Sequence, residues 1–582
     1  MADALKQTEE RHVWFAILAE FDIDKGSVIR CQYPISSGAG DTFLAEAMLP
    51  EGSHSWSEDQ TVFMLPESGG SKADGGDDSK EEKRPFLHCI SCLIARKDDS
   101  VRRGSVTKAI AVCSPHTFVH AFQPVITIAV EELFRQTKPG SDMIILRDLY
   151  NSINSMTLPD TYSIPRLHKA LVKSSRLRPK HMRPIPNIRL EIEFGAQRVV
   201  SQVPPVVGED EIGQAALLTL LKRFPSGFMH IFNALLLEKR VIFIGHNLPA
   251  ADVCANVLAA CLLISPPLEG VKRRVFPYTN LTQLDTLLET PGYVAGVTNP
   301  IFAQRDAWWD VCCDLKKKSV KLSPAYEKEL KGEREGLSSA PSRSGSTGSV
   351  QNTNEMSVPA ETFDQCKELD DEFAVELRSG IALGRGEIWV REMVTGYVQR
   401  IVDMAFGDSS TGRIFACNQA RIRMLKDTKQ FRRHAEKRGV EKSSGPCGRN
   451  TGVVARYVHA LQNGAPSEKT LVSILDFFLE NLTTEDKLMH LLTMLPESKG
   501  GLYPLAICMY HESPSIQRKT VELLQRFDNF KEGSLWLSSL NFFLMRTYMR
   551  NKTKLNERAK TTKLNSTTNT SKETQVIGSK RV

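Results

Sequence analysis

The sequence predicts a multidomain chain of mixed α+β and α/β class: an N-terminal α+β module, a central α/β module with a parallel sheet, and a C-terminal helical lobe. Three observations predict it. Short β-type runs separated by turn residues occupy much of the first 114 positions. From residue 240 a strand-then-helix order occurs three times. Past residue 361, apolar residues recur at steps of three and four. The 582 residues suggest about two to four domains. With 41% hydrophobic and 25% charged residues, the chain has enough apolar material for a sizeable core.

In the N-terminal module, HVWFAILAEFDIDKGSVIRCQYP (12–34) is two apolar runs about a DIDKG turn. It predicts a β-hairpin with Gly26 at a positive-φ position. Asp41 is placed to cap a short helix, DTFLAEAML. TVFML (61–65) is a third strand, and residues 66–84 read as a flexible polar loop. FLHCISCLIARK and VTKAIAVC follow as strands. Residues 114–136 have helical spacing, with Ser114 as N-cap, Pro115 in the first turn and Pro124 as a kink or division. This order predicts an antiparallel sheet with helices.

In the central module, EIGQAALLTLLKRF and GFMHIFNALLLEK have helical spacing. RVIFIGHN (240–247), RRVFPYTN (273–280) and GYVAGVTN (292–299) are strands. The helical stretches LPAADVCANVLAACLLI, LTQLDTLLE and PIFAQRDAWWDVCCDLKKK follow them in turn. Crossover helices imply parallel pairing, and the unbroken run Val241 to Ile244 suits a strand buried on both faces. Each strand ends in asparagine: Asn247, Asn280 and Asn299. Two readings stand: helix N-caps, or a ligand site where the carboxyl ends of parallel strands converge. Asn280 and Gln283 have capping-box spacing, and Asn299 precedes Pro300. His246, at the same end of the first strand, reads as a hydrogen-bonded structural residue, with a general base as the alternative. Gly296, with no Cβ, marks close packing under a helix.

In the helical lobe, Val390, Val394, Tyr397, Ile401 and Met404 share one helix face. SEKTLVSILDFFLENL, TEDKLMHLLTML, SPSIQRKTVELLQRF and SLWLSSLNFFLMRTYM follow as helices, with Ser513 as a cap and Pro514 in the first turn. Their Met and aromatic residues read as core, with an exposed groove as the alternative.

Motifs for covalent chemistry are missing. There is no GxxxxGK[ST], no GxGxxG after a strand, no GxSxG and no HExxH. Scattered catalytic residues would leave no such mark. Asp22 and Asp24 share a turn and do not read as an acid–base pair. Of twelve cysteines, only Cys89 and Cys92 have CxxC spacing, and they sit in strand composition. Buried reduced thiols are the reading; no metal and no cofactor are expected. The amino terminus MADALKQTEERH has no apolar signal core, which argues against secretion. The apolar stretch 250–264 is interrupted by Asp252 and Asn256 and is too short to span a bilayer.

The net charge of +7 is unevenly spread. Residues 166–183 hold seven Lys/Arg and no acid, 413–449 hold eleven against three, and 546–582 hold ten against two. Such segments suit an anionic membrane or an acidic partner; as solvated loops and a tail they need no partner at all. Aromatic residues do not interleave with them, and no nucleic-acid motif is present, so no nucleic-acid partner is expected.

Several long stretches carry a family likeness. WFAILAEFDIDKGSVIRCQYP, FLAEAMLPEG and ARKDDSVRRGSVTKAIAVCS lie in the N-terminal module. FNALLLEKRVIFIGHNLPA, VFPYTNLTQLDTLLETPGYVAGVTNPIF and AWWDV lie in the central one. Through them the chain resembles the DENN superfamily, and within it the fungal polarity-axis branch that docks an Arf-family small GTPase. The resemblance covers roughly 12–135 and 185–320 and is weaker past 361. It implies a longin-like module over 10–140 and a central DENN module over 188–323, joined by a basic, Pro-rich linker at 159–187. A disordered Ser/Gly linker (327–361) would lead to a helical lobe (362–550) with a basic insert (413–449) and a disordered basic tail (551–582).

The partner so implied is a small GTPase of the Arf or Rab family, docked at membranes for vesicle trafficking and polarised growth. The protein would be cytoplasmic and peripheral to the plasma membrane or vesicle sites. Docking alone and guanine nucleotide exchange both remain open. Exchange breaks no covalent bond: tighter binding of the empty GTPase weakens its nucleotide affinity by the same factor. An α/β enzyme acting on a metabolite or nucleotide is the alternative of another class, and it requires a deep pocket beside His246, Asn280 and Asn299. A scaffold linking membrane and protein partners is a third reading. No GTPase-contact residue is assignable from the sequence.

Overall fold

The computed structural model describes residues 11–66, 86–98, 104–136, 140–158, 187–203, 210–213, 215–330, 366–407, 413–444, 451–463, 466–495, 501–538, 540–555 and 557. The expected loop at 66–84, both linkers and the tail lie almost wholly outside these residues. Where they are described they are ordered: residues 324–330 and 551–555 are helical. The chain divides into two compact units, residues 1–159 with 187–434, and 160–186 with 435–582.

In the first unit, β1 (Phe15–Asp22), β2 (Gly26–Tyr33), β3 (Glu58–Pro66), β4 (Phe86–Lys97) and β5 (Ser105–Ser114) form an antiparallel sheet in the order β2-β1-β5-β4-β3. Period-two alternation divides its faces. Ile17, Ala19, Cys89, Leu93 and Ala111 pack with Leu44, Ala47 and Met48 of α1 (Asp41–Met48). The opposite residues, among them Ile90, Cys92 and Val112, face α2 (Gln123–Arg135) and α3 (Ser141–Asn154). Gly26 takes φ +77° in the β1–β2 turn, as expected.

Two local expectations are corrected and a third is narrowed. Asp41 does not cap α1 but is its first residue, behind Gly40, and its carboxylate accepts from Gln32 Nε2 at 3.2 Å. Ser114 ends β5 instead of capping a helix; its hydroxyl donates to the His12 carbonyl at 2.6 Å and accepts from His116 N at 3.0 Å. Pro124 does not kink a helix but stands at a division, between a 3-10 turn (Val119–Phe122) and α2. It lies in the first turn of α2, where a missing N–H costs no hydrogen bond. Helix α3 has no counterpart among the expected elements.

The central part begins with a hairpin, also unexpected, of β6 (Ile188–Phe194) and β7 (Gln197–Val203). There follow α4 (Leu217–Arg223), α5 (Phe228–Leu236), β8 (Val241–Ile244), α6 (Ala250–Cys261), β9 (Val275–Phe276), α7 (Leu284–Glu289) and β10 (Val294–Val297). The three strands pair in parallel, and every residue of β8 and β10 is buried. Gly296 is a close-packing position: a Cβ there would lie 2.2 Å from the Pro277 carbonyl and 2.7 Å from Val253 of α6. Past β10 the expected helix is only α8 (Ile301–Gln304). AWWDVCCDLKKK instead forms β11 (Val311–Asp314) and leads to β12 (Ser319–Leu322). The sheet order is therefore β12-β11-β8-β10-β9, with β11 parallel to β8 and β12 antiparallel at the edge.

Helices α9 (Pro324–Leu330), α10 (Lys367–Ala382), α11 (Glu387–Ala405), α12 (Arg413–Cys417), α13 (Gln419–Asp427) and α14 (Lys429–Ser444) follow. Those up to residue 434 belong to the same unit as both sheets. The apolar face of α11 is buried at all five expected positions. The basic segment is thus helical over most of its length, and Arg421 in it is fully buried.

The second unit holds α15 (Thr451–Asn463), α16 (Glu468–Asn481), α17 (Glu485–Met494), α18 (Tyr503–Ala506), α19 (Pro514–Asp528), α20 (Lys531–Leu537) and a helix over 542–555. Its core includes Ile474, Phe478, Leu492, Leu524, Phe527 and Trp536, so most of its large side chains are packing residues. Among the described residues no helix is long and apolar enough to cross a membrane.

Candidate functional site

Edge strand β3 meets helix α6, and this contact joins the two five-stranded sheets of the first unit. An exposed strand edge offers unpaired backbone groups, and a covering helix removes them. Val62 N lies 3.4 Å from the Cys254 sulfur. The amino terminus of α6 carries orphan N–H groups, and no side chain of its own cap residue satisfies them. Asp59 does so from β3: its carboxylate accepts from Ala250 N at 2.8 Å and Ala251 N at 3.0 Å. Burial pushes the Asp59 carboxyl up, against the pull of these backbone bonds.

The segments that follow β9 and β10 meet two more acids of the N-terminal module. Glu46, on α1, accepts from Asn280 Nδ2 at 2.8 Å. The Thr282 hydroxyl lies 2.6 Å from both Glu46 Oε2 and Asn280 Oδ1 and can donate to either. Glu51 accepts from Asn299 Nδ2 at 3.3 Å, and its own N–H donates to the Tyr278 hydroxyl at 3.1 Å. Burial pushes the Tyr278 phenol well up, so it acts as a neutral hydrogen-bonding group. An open cleft of about 330 Å³ lies along this seam, lined by Glu46, Pro50, Glu51, Gly52, Asn280 and Leu281 among others.

The three asparagines divide. Asn280 is a cap, accepting from Thr282 N at 3.2 Å. Asn299 accepts from Ile301 N at 3.0 Å. Asn247 is not a cap: it occupies a turn at φ +58°, and Asp59 takes the role at α6. Gln283 does not complete a capping box, because its Oε1 accepts from the Thr279 hydroxyl at 2.9 Å. His246 is exposed and does not line the cleft. The pocket that an enzyme reading requires beside His246, Asn280 and Asn299 is therefore not assembled: two of these side chains are held by capping and by carboxylates. Cys89 and Cys92 are free, buried thiols in β4, and burial pushes Cys92 up to about 12. Among the described residues no His/Cys/Asp/Glu group is arranged to hold a metal.

Glu46, Asp59 and Tyr278 do not stand out in the sequence. Their partners lie about two hundred positions away, and no local spacing encodes such a pairing. The one visible signal was the pair of acids flanking the apolar end of AEAMLPEG.

A second polar cluster anchors the helices behind the central sheet. Arg421 Nη2 donates to both oxygens of Asp370 at 2.7 Å, Tyr397 donates to Oδ1 at 2.5 Å, and Asn233 Nδ2 to Oδ2 at 2.9 Å. Burial works against the Arg421 charge, and the Asp370 carboxylate outweighs it. The four residues join α5, α10, α11 and α13.

Comparison with known proteins bears on the same two sheets. Residues 15–103 match a family model described as the docking domain of Afi1 for Arf3 in vesicle trafficking. Residues 214–324 match a model described as stabilization of polarity axis. The first match begins at the start of β1, and the second runs from α4 through β12. The chain is 25% identical over 618 aligned positions to an AFI1-like protein of Schizosaccharomyces pombe, covering 90% of this chain and 96% of that protein. It is 28% identical over 175 positions to the late secretory pathway protein AVL9 of Saccharomyces cerevisiae, covering 27% of this chain and 22% of that protein. The chain is thus similar to an AFI1-like protein over nearly its whole length, and it matches a docking-domain model and a polarity-axis model in that order.

Proposed function

We propose that this chain is a DENN-type docking protein for an Arf-family small GTPase, acting at membranes in vesicle trafficking and polarised growth. The observation that carries the reading is the match of residues 15–103 to a docking-domain model. The geometry supports it. The segments matched by the two models line one open cleft, which offers carboxylates, backbone and the exposed Leu281. A surface of this kind suits protein recognition, in which a few anchors carry most of the affinity. We assign the cleft to the docking surface.

The test is a binding screen over Arf and Rab proteins, nucleotide-free and loaded, with release of a fluorescent nucleotide followed in parallel. Binding of an Arf-type GTPase without faster nucleotide release is expected. Accelerated release at saturating protein would replace docking by exchange. Binding only to Rab proteins would overturn the Arf assignment, and no binding at all would overturn the reading. Leu281→Asp should weaken GTPase binding at least about tenfold if the cleft is the docking surface.

A further inference from the structure

Residues 542–555 form a helix at the end of the second unit. One side of it is built in. Leu544 and Tyr548 are buried in the core, and Tyr548 and Lys552 both donate to the Asp528 carboxylate. The other side is open. At roughly 100° per residue, Phe542, Phe543, Arg546, Met549, Arg550 and Lys554 fall on one face. All six are exposed, and none is acidic. Phe542 and Phe543 are 70% and 72% exposed, with ring centroids 5.8 Å apart. Tyr510, also exposed, is tied to the same helix by a 2.9 Å bond to the Thr547 hydroxyl.

Two adjacent phenylalanines facing water are an unfavourable arrangement for a solvated helix face. The chemistry around them says what covers them. Bulky apolar side chains interleaved with cations match the boundary of an anionic bilayer, where rings enter below the headgroups and Arg and Lys reach the phosphates. An acidic polypeptide would satisfy the cations, whereas the rings require an apolar layer directly beneath the negative charge. The sequence continues this charge, with ten Lys/Arg against two acids over residues 546–582.

We propose that the 542–555 helix is a membrane-surface anchor that seats Phe542 and Phe543 in an anionic phospholipid bilayer and pairs Arg546, Arg550 and Lys554 with its phosphates. It deepens the reading of the chain as a docking protein acting at membranes, but its geometry stands without the GTPase. Flotation of the full chain with phosphatidylserine-containing vesicles and with phosphatidylcholine vesicles tests it. The chain should float with the anionic vesicles only, and added salt should weaken the association. Phe542→Ser with Phe543→Ser should weaken it at least about tenfold. Arg546→Glu with Arg550→Glu should weaken it by at least about fivefold per lost cation.

Both pairs are exposed, so both variants should keep the wild-type thermal unfolding profile and GTPase binding in solution. Those two controls separate failure of the anchor from failure of the docking reading. No flotation of the wild-type chain overturns the proposal. So does wild-type flotation by the phenylalanine variant, which would leave only a diffuse charge attraction. Capture by an acidic polypeptide with no vesicle binding overturns it in favour of a protein partner.

Discussion

At the scale of single residues, Asp59 and His88 show how far apart a cause and its effect can lie in this sequence. Asp59 belongs to β3, but its carboxylate closes the amino terminus of α6. Removing a capping side chain costs about 1–2 kcal/mol. Asp59→Ala should therefore lower the stability of the first unit by that order, read as faster hydrogen exchange at Ala250 and Ala251 than elsewhere in α6. His88 is 4% exposed in β4, and burial holds its pKa at about 4, with Lys272 nearby acting in the same direction. The unfolded chain takes up this proton near the ordinary value of about 6.5. Between the two values the unfolded state binds more protons, so stability is intact above pH 6.5 and falls as pH drops towards 4. From pH 6.5 to pH 5 the loss should reach about 2 kcal/mol. Hydrogen exchange across β4 at the two pH values should show it, and His88→Leu should flatten it.

At the scale of elements, strands with a single physical requirement were legible. β8 and β10 are buried on both faces, so their apolar runs announced them. Gly296 was legible for the same reason: only a residue without Cβ fits beneath α6. AWWDVCCDLKKK was misread because its apolar residues satisfy a helical and a strand period equally. Its fate was decided by pairing with β8, a contact about seventy residues distant. The charge-rich helices past residue 413 were obscured differently. A run of Lys and Arg reads as solvated, whereas Arg421 is buried by virtue of Asp370, fifty-one residues earlier. Taking away one partner of a buried pair strands the other charge and costs about 3–5 kcal/mol. Arg421→Ala should loosen α10, α11 and α13 together, seen as early protease cleavage in these helices with the N-terminal sheet still protected. The thiols of β4 give a milder test. With Cys89 and Cys92 both pushed up by burial, neither should react with a thiol reagent until the sheet opens.

At the scale of the whole molecule, the sequence divides the chain at its linkers, while packing divides it after residue 434. The helices between 366 and 434 complete the unit that holds both sheets. The candidate site shares this property. Its acids and asparagines lie in segments about two hundred residues apart, and each reads as ordinary surface or capping chemistry until the fold brings them together. Two compact units with separate cores should unfold in more than one cooperative step. Calorimetry of the full chain should resolve at least two transitions. A GTPase bound to the seam should raise only the transition of the first unit.

Asp59 is one of several carboxylates that close a helix from a distance. Glu238 accepts from Lys429 N and Gln430 N at the start of α14, and Glu387 accepts from Leu217 N and Leu218 N at the start of α4. Their order in the chain differs. Asp59 and Glu238 are synthesised before the helices they close, so α6 and α14 meet a waiting partner as they leave the ribosome. Helix α4 emerges 170 residues ahead of Glu387 and stays open until that residue follows. The amino terminus of α4 is therefore closed only after translation has passed residue 387, well beyond the last strand of the central sheet.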